Sequence, residues 1–404
     1  MANPQKNINP LSTEALSAIK KSNLETPYYL YDLDCLAQTW QAFHSEAKTI
    51  PNYRVYFAMK SNNNPEVLKF FKNQDCGIDV VSIFELRHAL KLGFKPSDIV
   101  FSGAGKTTAE LTEAVQNEIH LINCESEDEF LRLEKVALNL GKKVRMGFRV
   151  NPDVDAKTHP YIATGLKNHK FGIRFETALN LYIRAFQNKK AFEVKSISVH
   201  IGSQIQNINS FREAFEKVLI FVQTLKHHGI EIQTFDLGGG LGISYTQPEQ
   251  CADFSGYLQT IKSLKNQYST PNYWASELGR ALVASCGTLV TKVIGQKESG
   301  DKSFLIVDAS MTELIRPALY QARHPIAVIS MSNNQAPSNH VFEVVGPVCE
   351  SSDVFGSDYS LPRELKENDL LGIQLAGAYG HVMSSQYNLR PRPTEYIFHQ
   401  GLIK

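Results

Sequence analysis

The sequence has no C-x-x-C pair and no cysteine and histidine cluster of the zinc-finger kind. Its six cysteines (Cys35, Cys76, Cys124, Cys251, Cys286, Cys349) are scattered along the chain. That scatter argues against a disulfide framework and a zinc site, so reduced thiols and no metal are expected. No run of about 18 apolar residues occurs, which leaves no candidate membrane-spanning helix. The opening MANPQKNINPLSTEALSAIKK lacks the apolar stretch of a secretory signal, and a cytoplasmic protein is the expectation. Charge of one sign is also lacking. Lys plus Arg number 42 against 41 Asp plus Glu, with no block of like charge, so nothing marks a nucleic acid or an anionic membrane as partner. A small-molecule partner is left.

What is present is a rhythm. Short apolar runs alternate with amphipathic stretches, as in successive βα units of a parallel sheet. Eight such runs can be counted: YRVYFAMK (53–60), GIDVVS (77–82), DIVFSGAG (98–105), IHLINCES (119–126), KVRMGFRVNP (143–152), KSISVHIGS (195–203), IQTFDLGGG (232–240) and NYWASELGR (272–280). Between them, segments such as SFREAFEKVLIFVQTLKHHG return an apolar residue every three or four positions and close on glycine. Eight units predict a (β/α)8 TIM-type barrel, with an open doubly wound sheet as the competing architecture. After Arg280 the texture changes to alternating or β-branched runs broken by Gly, Asn, Asp and Pro, which reads as a mostly antiparallel β domain. The expected division is a barrel over 33–280 and a β domain from 281–404 together with 1–32, where TPYYLYD is strand-like.

In such barrels the active site sits at the C-terminal ends of the strands. Lys60, Asp79, Arg149, His200, Ser203, Gly238, Gly239, Gly240, Glu277, Gly279 and Arg280 all fall at or near those ends, and Ser82 and Glu85 follow the second strand. Taken singly, each has an ordinary reading. A lone lysine can mark where a strand meets water, three glycines can make a tight turn, and a lone histidine can be a satisfied core residue. DLGGGLGISY is not a G-x-G-x-x-G fingerprint, and no P-loop lysine follows it. Taken together, an amine, a glycine-lined anion cradle, an imidazole and a carboxylate match the needs of pyridoxal 5′-phosphate. The amine forms the Schiff base, the glycines admit the phosphate, and the carboxylate of Glu277 keeps the pyridine nitrogen protonated.

In this order, FAMKSNNNP, GIDVVS, HIGSQI, DLGGGLGISY, ELGR, RPALY, GPVCESSD and GAYGHVMSSQYNLRPRP resemble the pyridoxal phosphate-dependent barrel decarboxylases of the alanine racemase fold type, and within them the diaminopimelate branch. The resemblance spans nearly the whole chain. It implies decarboxylation of meso-2,6-diaminopimelate to L-lysine, the last step of lysine biosynthesis, by a homodimer with shared active sites. It gives Lys60 as the Schiff-base lysine, Asp79 and Glu85 as acids near it, His200 as the ring-stacking residue and Ser203 as a phosphate ligand. Gly238 to Gly240 and the stretch Glu277, Leu278, Gly279, Arg280 correspond to cofactor-binding segments. Cys349 corresponds to the acid that returns a proton to Cα, and Tyr379 to a residue touching cofactor and substrate. Arg280, Arg316 and Tyr320 correspond to the group that holds the distal carboxylate, and Glu350 to the partner of the distal ammonium.

Two guanidiniums at that end attract a carboxylate and repel an ammonium, which disfavours lysine, ornithine and arginine as substrates. Four positions depart from the family pattern: Ile83 and Phe84 in place of glycines, Leu278 in place of proline, and Ser352 in place of glycine. Three other readings stay open: a decarboxylase of another carboxylate-ended diamino acid such as carboxynorspermidine, an amino-acid racemase, and a non-catalytic homologue. Glu277 speaks against the racemase, which commonly places arginine at the ring nitrogen, while Lys60 and Cys349 speak against the non-catalytic homologue.

Overall fold

The computed structural model describes residues 11–155, 170–246, 252–332 and 338–404. Cys251 lies outside the described residues. The chain forms two compact units, one of Phe43–Gly242 and Ala252–Gly279, the other of Met1–Ala42, Ile243–Cys251 and Arg280–Lys404. The sequence reading set the barrel at 33–280. The compact units part at Ala42 and Gly279, and Ile243–Cys251 groups with the β unit.

Strand β1 (Tyr28–Asp32) belongs to the β unit. The next eight strands, β2 (Tyr53–Ala58), β3 (Gly77–Val80), β4 (Ile99–Phe101), β5 (Leu121–Cys124), β6 (Val144–Val150), β7 (Phe192–Val199), β8 (Thr234–Asp236) and β9 (Tyr273–Leu278), close into a barrel in chain order. Every neighbouring pair is parallel, and β9 returns to β2 with Tyr53 beside Trp274 and Phe57 beside Leu278. That last pairing rules out the open sheet. The strands are short and buried on both faces, which is why they read as unbroken apolar runs. Successive side chains alternate: Tyr56 packs with Val100, Leu121 and Ala275, whereas Phe57 stacks on Phe71 of the helix Pro65–Asn73 with ring centroids 4.1 Å apart. The helix Ile208–His227 shows the complementary pattern, burying Phe211, Phe215, Val218, Leu219, Val222 and Leu225 at helical spacing.

The β unit carries a mixed sheet. Besides β1 it contains β10 (Gly287–Ser299), β11 (Lys302–Val307), β12 (Ile326–Ser330), β13 (Asn339–Val345), β14 (Val354–Pro362), β15 (Leu370–Ile373), β16 (Thr394–His399) and β17 (Leu402–Ile403). The order β14-β13-β11-β10-β1-β16-β17, with β15 against β10 and β12, is antiparallel except at β1/β16 and β11/β13. TPYYLYD does join this sheet, between β10 and β16. The helix Thr13–Lys21 lays Ala15 and Ile19 on Tyr28, Leu30, Val290, Ile329 and Phe398. Among the described residues, no helix is long and apolar enough to cross a membrane.

Phe57→Ala empties a site buried at 0 % exposure between β2 and its helix. A loss of about 3–5 kcal/mol is expected, read as a lower urea midpoint for the barrel unit.

Candidate active site

In the barrel unit, β2 stops at Ala58 and the chain makes a single tight turn over Met59–Ser61, with Ser61 Oγ donating to the Ala58 carbonyl at 2.8 Å. The knot of Asn and Pro behind it is a helix start. Asn64 accepts from the Glu66 N–H at 3.0 Å and Pro65 takes the first turn. Lys60 is thereby fixed on a turn rather than left on a loose strand end. Its Nζ donates to Asp79 at 2.8 Å, the aspartate fully buried and the lysine side chain 33 % exposed. Asp79 Oδ1 has no hydrogen-bond partner among the described residues. Glu85, in the first turn of the helix Ile83–Lys91, accepts from the Val81 N–H at 2.7 Å. Burial pushes its carboxyl up to about 7, with Asp79 adding to the rise and Val81 and Lys60 opposing it.

His200 follows β7, and its Nδ1 accepts from the Gly239 N–H at 3.1 Å, so the neutral ring carries its proton on Nε2. Burial, then the charges of Arg149 and Lys60, hold the imidazole well below its ordinary pKa. Gly238 and Gly240 have φ of 64° and 105°, and a Cβ on Gly239 would strike the Glu277 carbonyl oxygen. Only glycine fits this turn, which carries no Cβ after β8. Ser203 lies half-buried in the loop after β7.

At the end of β9, Glu277 accepts from Ser102 Oγ at 3.0 Å. Asp236 beside it accepts from Asn123 Nδ2 at 2.9 Å and from the Gly238 N–H at 3.0 Å. Burial drives both carboxyls up, and Asp236 and Asp79 add to the rise at Glu277, so the Glu277–Asp236 pair holds a proton. A cation facing Glu277 would let it ionise. These residues therefore fit pyridoxal phosphate: an amine on a rigid turn, a glycine turn that no Cβ crowds, and a buried carboxyl suited to a pyridinium.

In the β unit, Arg280 and Arg316 are 7 % and 3 % exposed. Arg280 Nη1 donates to the Tyr245 hydroxyl at 2.9 Å, and its guanidinium lies 4.7 Å from the Tyr379 ring centre. Tyr379 holds a left-handed φ of 56°, uncommon for a non-glycine residue. Arg316 opens the short helix Arg316–Tyr320, with its guanidinium 4.6 Å from the Tyr245 ring and Nη1 2.7 Å from His324 Nε2. Among the described residues its Nε has no hydrogen-bond partner and no carboxylate lies within ion-pair distance; burial, followed by Arg280, holds its pKa below the ordinary value against the pull of Tyr245.

Cys349 and Glu350 stand apart from this cluster on an exposed turn, where the Cys349 N–H donates to Asn388 Oδ1 at 3.0 Å and Glu350 Oε1 accepts from the Ser351 N–H at 2.9 Å. Of the departures, Phe84 is 74 % exposed, Leu278 is buried at the end of β9, Ile83 is buried, and Ser352 is exposed. Sequence reasoning missed Asp236 and Tyr245, though both lie inside DLGGGLGISY. It also missed Ser102, Asn123 and His324, for which no local pattern stood out.

The family model for the pyridoxal-dependent decarboxylase, pyridoxal binding domain, matches residues 36–284. Diaminopimelate decarboxylase of Helicobacter pylori is 42 % identical over 381 residues, covering 94 % of this chain and 92 % of the relative. The chain belongs to the diaminopimelate decarboxylase family of pyridoxal-dependent decarboxylases. The Vibrio cholerae member is likewise 42 % identical, covering 92 % of this chain and 87 % of its own. The crystal structure of the Helicobacter pylori enzyme complexed with L-lysine superposes with a TM-score of 0.87 at 39 % identity, covering 95 % of this chain and 93 % of the other. The family's fold and its cofactor therefore hold for this chain.

Glu85 gives the barrel a testable pH signature. Between 4.5, its ordinary value, and about 7, the folded protein keeps a proton that the unfolded chain has released. Its contribution to stability therefore falls as pH rises through that window. In cofactor-free protein, the melting temperature of wild type should drop relative to Glu85→Gln between pH 5 and 8, and a constant difference would refute the raised carboxyl.

Proposed function

We propose that this protein decarboxylates meso-2,6-diaminopimelate to L-lysine, with pyridoxal phosphate bound through Lys60. The observation that carries the substrate choice is the buried guanidinium of Arg316, which has no carboxylate partner among the described residues and lies in one cluster with Arg280. An uncompensated buried cation costs several kcal/mol, and a ligand carboxylate offsets that cost by charge-assisted hydrogen bonds. Diaminopimelate presents such a group at the end remote from the reaction. Lysine or ornithine bound in the same sense would present an ammonium, which the cluster repels.

When bound, the cofactor supplies an electron sink for the pair left as the Cα–carboxylate bond breaks. His200 would hold its ring, Ser203 and the backbone of Gly238 to Gly240 its phosphate, and Glu277 its ring nitrogen. Asp79 directs the Lys60 amine. Asp236 and Ser102 fix the Glu277 carboxyl and govern its proton. Tyr320 and Tyr379 would line the substrate's path beside the arginines. Cys349 is the proposed acid that returns a proton to Cα, and Glu350 the partner of the distal ammonium. Both are exposed, which suits residues that complete the site of a second copy in a homodimer.

The test is carbon dioxide release from meso-diaminopimelate, carboxynorspermidine, L-lysine, L-ornithine and L-arginine, with products identified. Turnover of diaminopimelate alone is expected, and a preference for any cation-ended amino acid would defeat the assignment. Lys60→Ala should remove both turnover and the visible absorbance of bound cofactor. Arg316→Ala should raise KM for diaminopimelate about 10- to 150-fold, as loss of hydrogen bonds to a charged group implies, without lowering cofactor affinity.

A further inference from the structure

Two guanidiniums buried side by side repel each other, and each side chain has many rotamers. Something must hold them facing a common point. In the β unit that role falls on two residues with no part in the reading above. The Tyr245 hydroxyl accepts from Arg280 Nη1 at 2.9 Å, while its ring face carries the Arg316 guanidinium at 4.6 Å. One tyrosine thus touches both cations, its oxygen meeting both guanidiniums and its π face carrying that of Arg316. His324, 1 % exposed, packs against the same ring, with centroids 4.9 Å apart and planes at 65°.

The protonation of His324 follows from its neighbours. Nδ1 lies 2.9 Å from the Gln374 carbonyl oxygen, which can only accept, so Nδ1 carries the hydrogen. Nε2 lies 2.7 Å from Arg316 Nη1, which can only donate, so Nε2 offers its lone pair. The ring is therefore neutral and in one tautomer, and burial and the charge of Arg316 hold its pKa well below the ordinary value. The histidine ties one Nη of Arg316 to the backbone of a neighbouring strand end, leaving Nε with no partner among the described residues.

We propose that Tyr245 and His324 are positioning residues that aim Arg280 and Arg316 at the distal carboxylate, and so set the preference for a carboxylate-ended substrate. This rests on the diaminopimelate reading. It separates binding at the far end from chemistry at Cα: loosening the arginines weakens capture of the carboxylate but leaves the reacting bonds alone. Decarboxylating one end of a 2,6-diamino dicarboxylate leaves the other carboxylate in place, so the product L-lysine keeps the group the arginines hold. Product inhibition then reports on the same contact without any bond breaking.

The experiment uses holoenzyme with bound cofactor. Tyr245→Phe keeps the ring and removes the acceptor oxygen. KM for meso-diaminopimelate and Ki for L-lysine should rise together by about tenfold, with kcat within about twofold and cofactor absorbance unchanged. His324→Leu should show the same split, and His324→Gln, which restores an acceptor oxygen toward Arg316, should recover most of it. Unchanged KM and Ki in Tyr245→Phe, or a loss confined to kcat, would overturn the proposal. So would His324→Gln behaving like His324→Leu. If His324→Leu fails to fold, Tyr245→Phe decides alone. A wild-type enzyme that does not turn over diaminopimelate would overturn the function and this inference together, whereas normal wild-type turnover with unaltered variants overturns only this inference.

Discussion

Ionic groups taken out of water need partners, and the structure meets that constraint nearly everywhere except where a ligand is required. Lys106 and Glu129 are each 1 % exposed and lie 2.7 Å apart. Arg149 and Glu125, also buried, pair at 2.9 Å, and Glu125 takes a backbone N–H as well. In these cases desolvation is offset inside the protein. Glu277 and Arg316 are handled differently. Among the described residues, Glu277 is hydrogen-bonded to one other acid, Asp236, and to the Ser102 hydroxyl, with burial driving its carboxyl up, while Arg316 meets Tyr245 and a neutral imidazole but no carboxylate within ion-pair distance. On those two departures rest the proposed places of a cationic ring and a carboxylate.

The barrel turns this electrostatic arrangement into fixed geometry. Lys60, Asp79, His200 and Glu277 each stand within two residues of a barrel strand's C-terminal end, and the connection after them is stiffened locally. Capping at Asn64, Ser82 and Ser126 starts helices immediately behind the site, and the glycine turn after β8 admits no Cβ. Rigid supports of this kind keep an amine and a carboxylate within the tolerance that catalysis needs.

Much of the fold was legible because parallel strands buried on both faces leave an unmistakable trace, and all eight apolar runs coincide with barrel strands. Lys60 was legible for the same reason, as a charge at the end of such a run. Asp236 was passed over because the glycines beside it dominate the motif, and its meaning depends on a carboxyl 41 positions later in the chain. His324 was beyond reach. Its tautomer is dictated by a carbonyl at Gln374, at the end of the strand that pairs beside it but 50 positions away in the chain, and no spacing rule links QARHP to that oxygen. The grouping of Ile243–Cys251 with the β unit was equally hidden, since in the chain that segment lies between the barrel strands β8 and β9.

The thiols carry a last implication. Among the described residues Cys35, Cys76, Cys124 and Cys286 are buried, with burial raising Cys76 to about 12 and Cys124 and Cys286 well above the ordinary value, while Cys349 alone is exposed. Of the described cysteines, an electrophile therefore meets Cys349 first, and that sulfur is the proposed proton donor. The exposure proposed to suit Cys349 to a neighbouring copy would also make it the atom through which alkylation or peroxide blocks the proposed proton transfer.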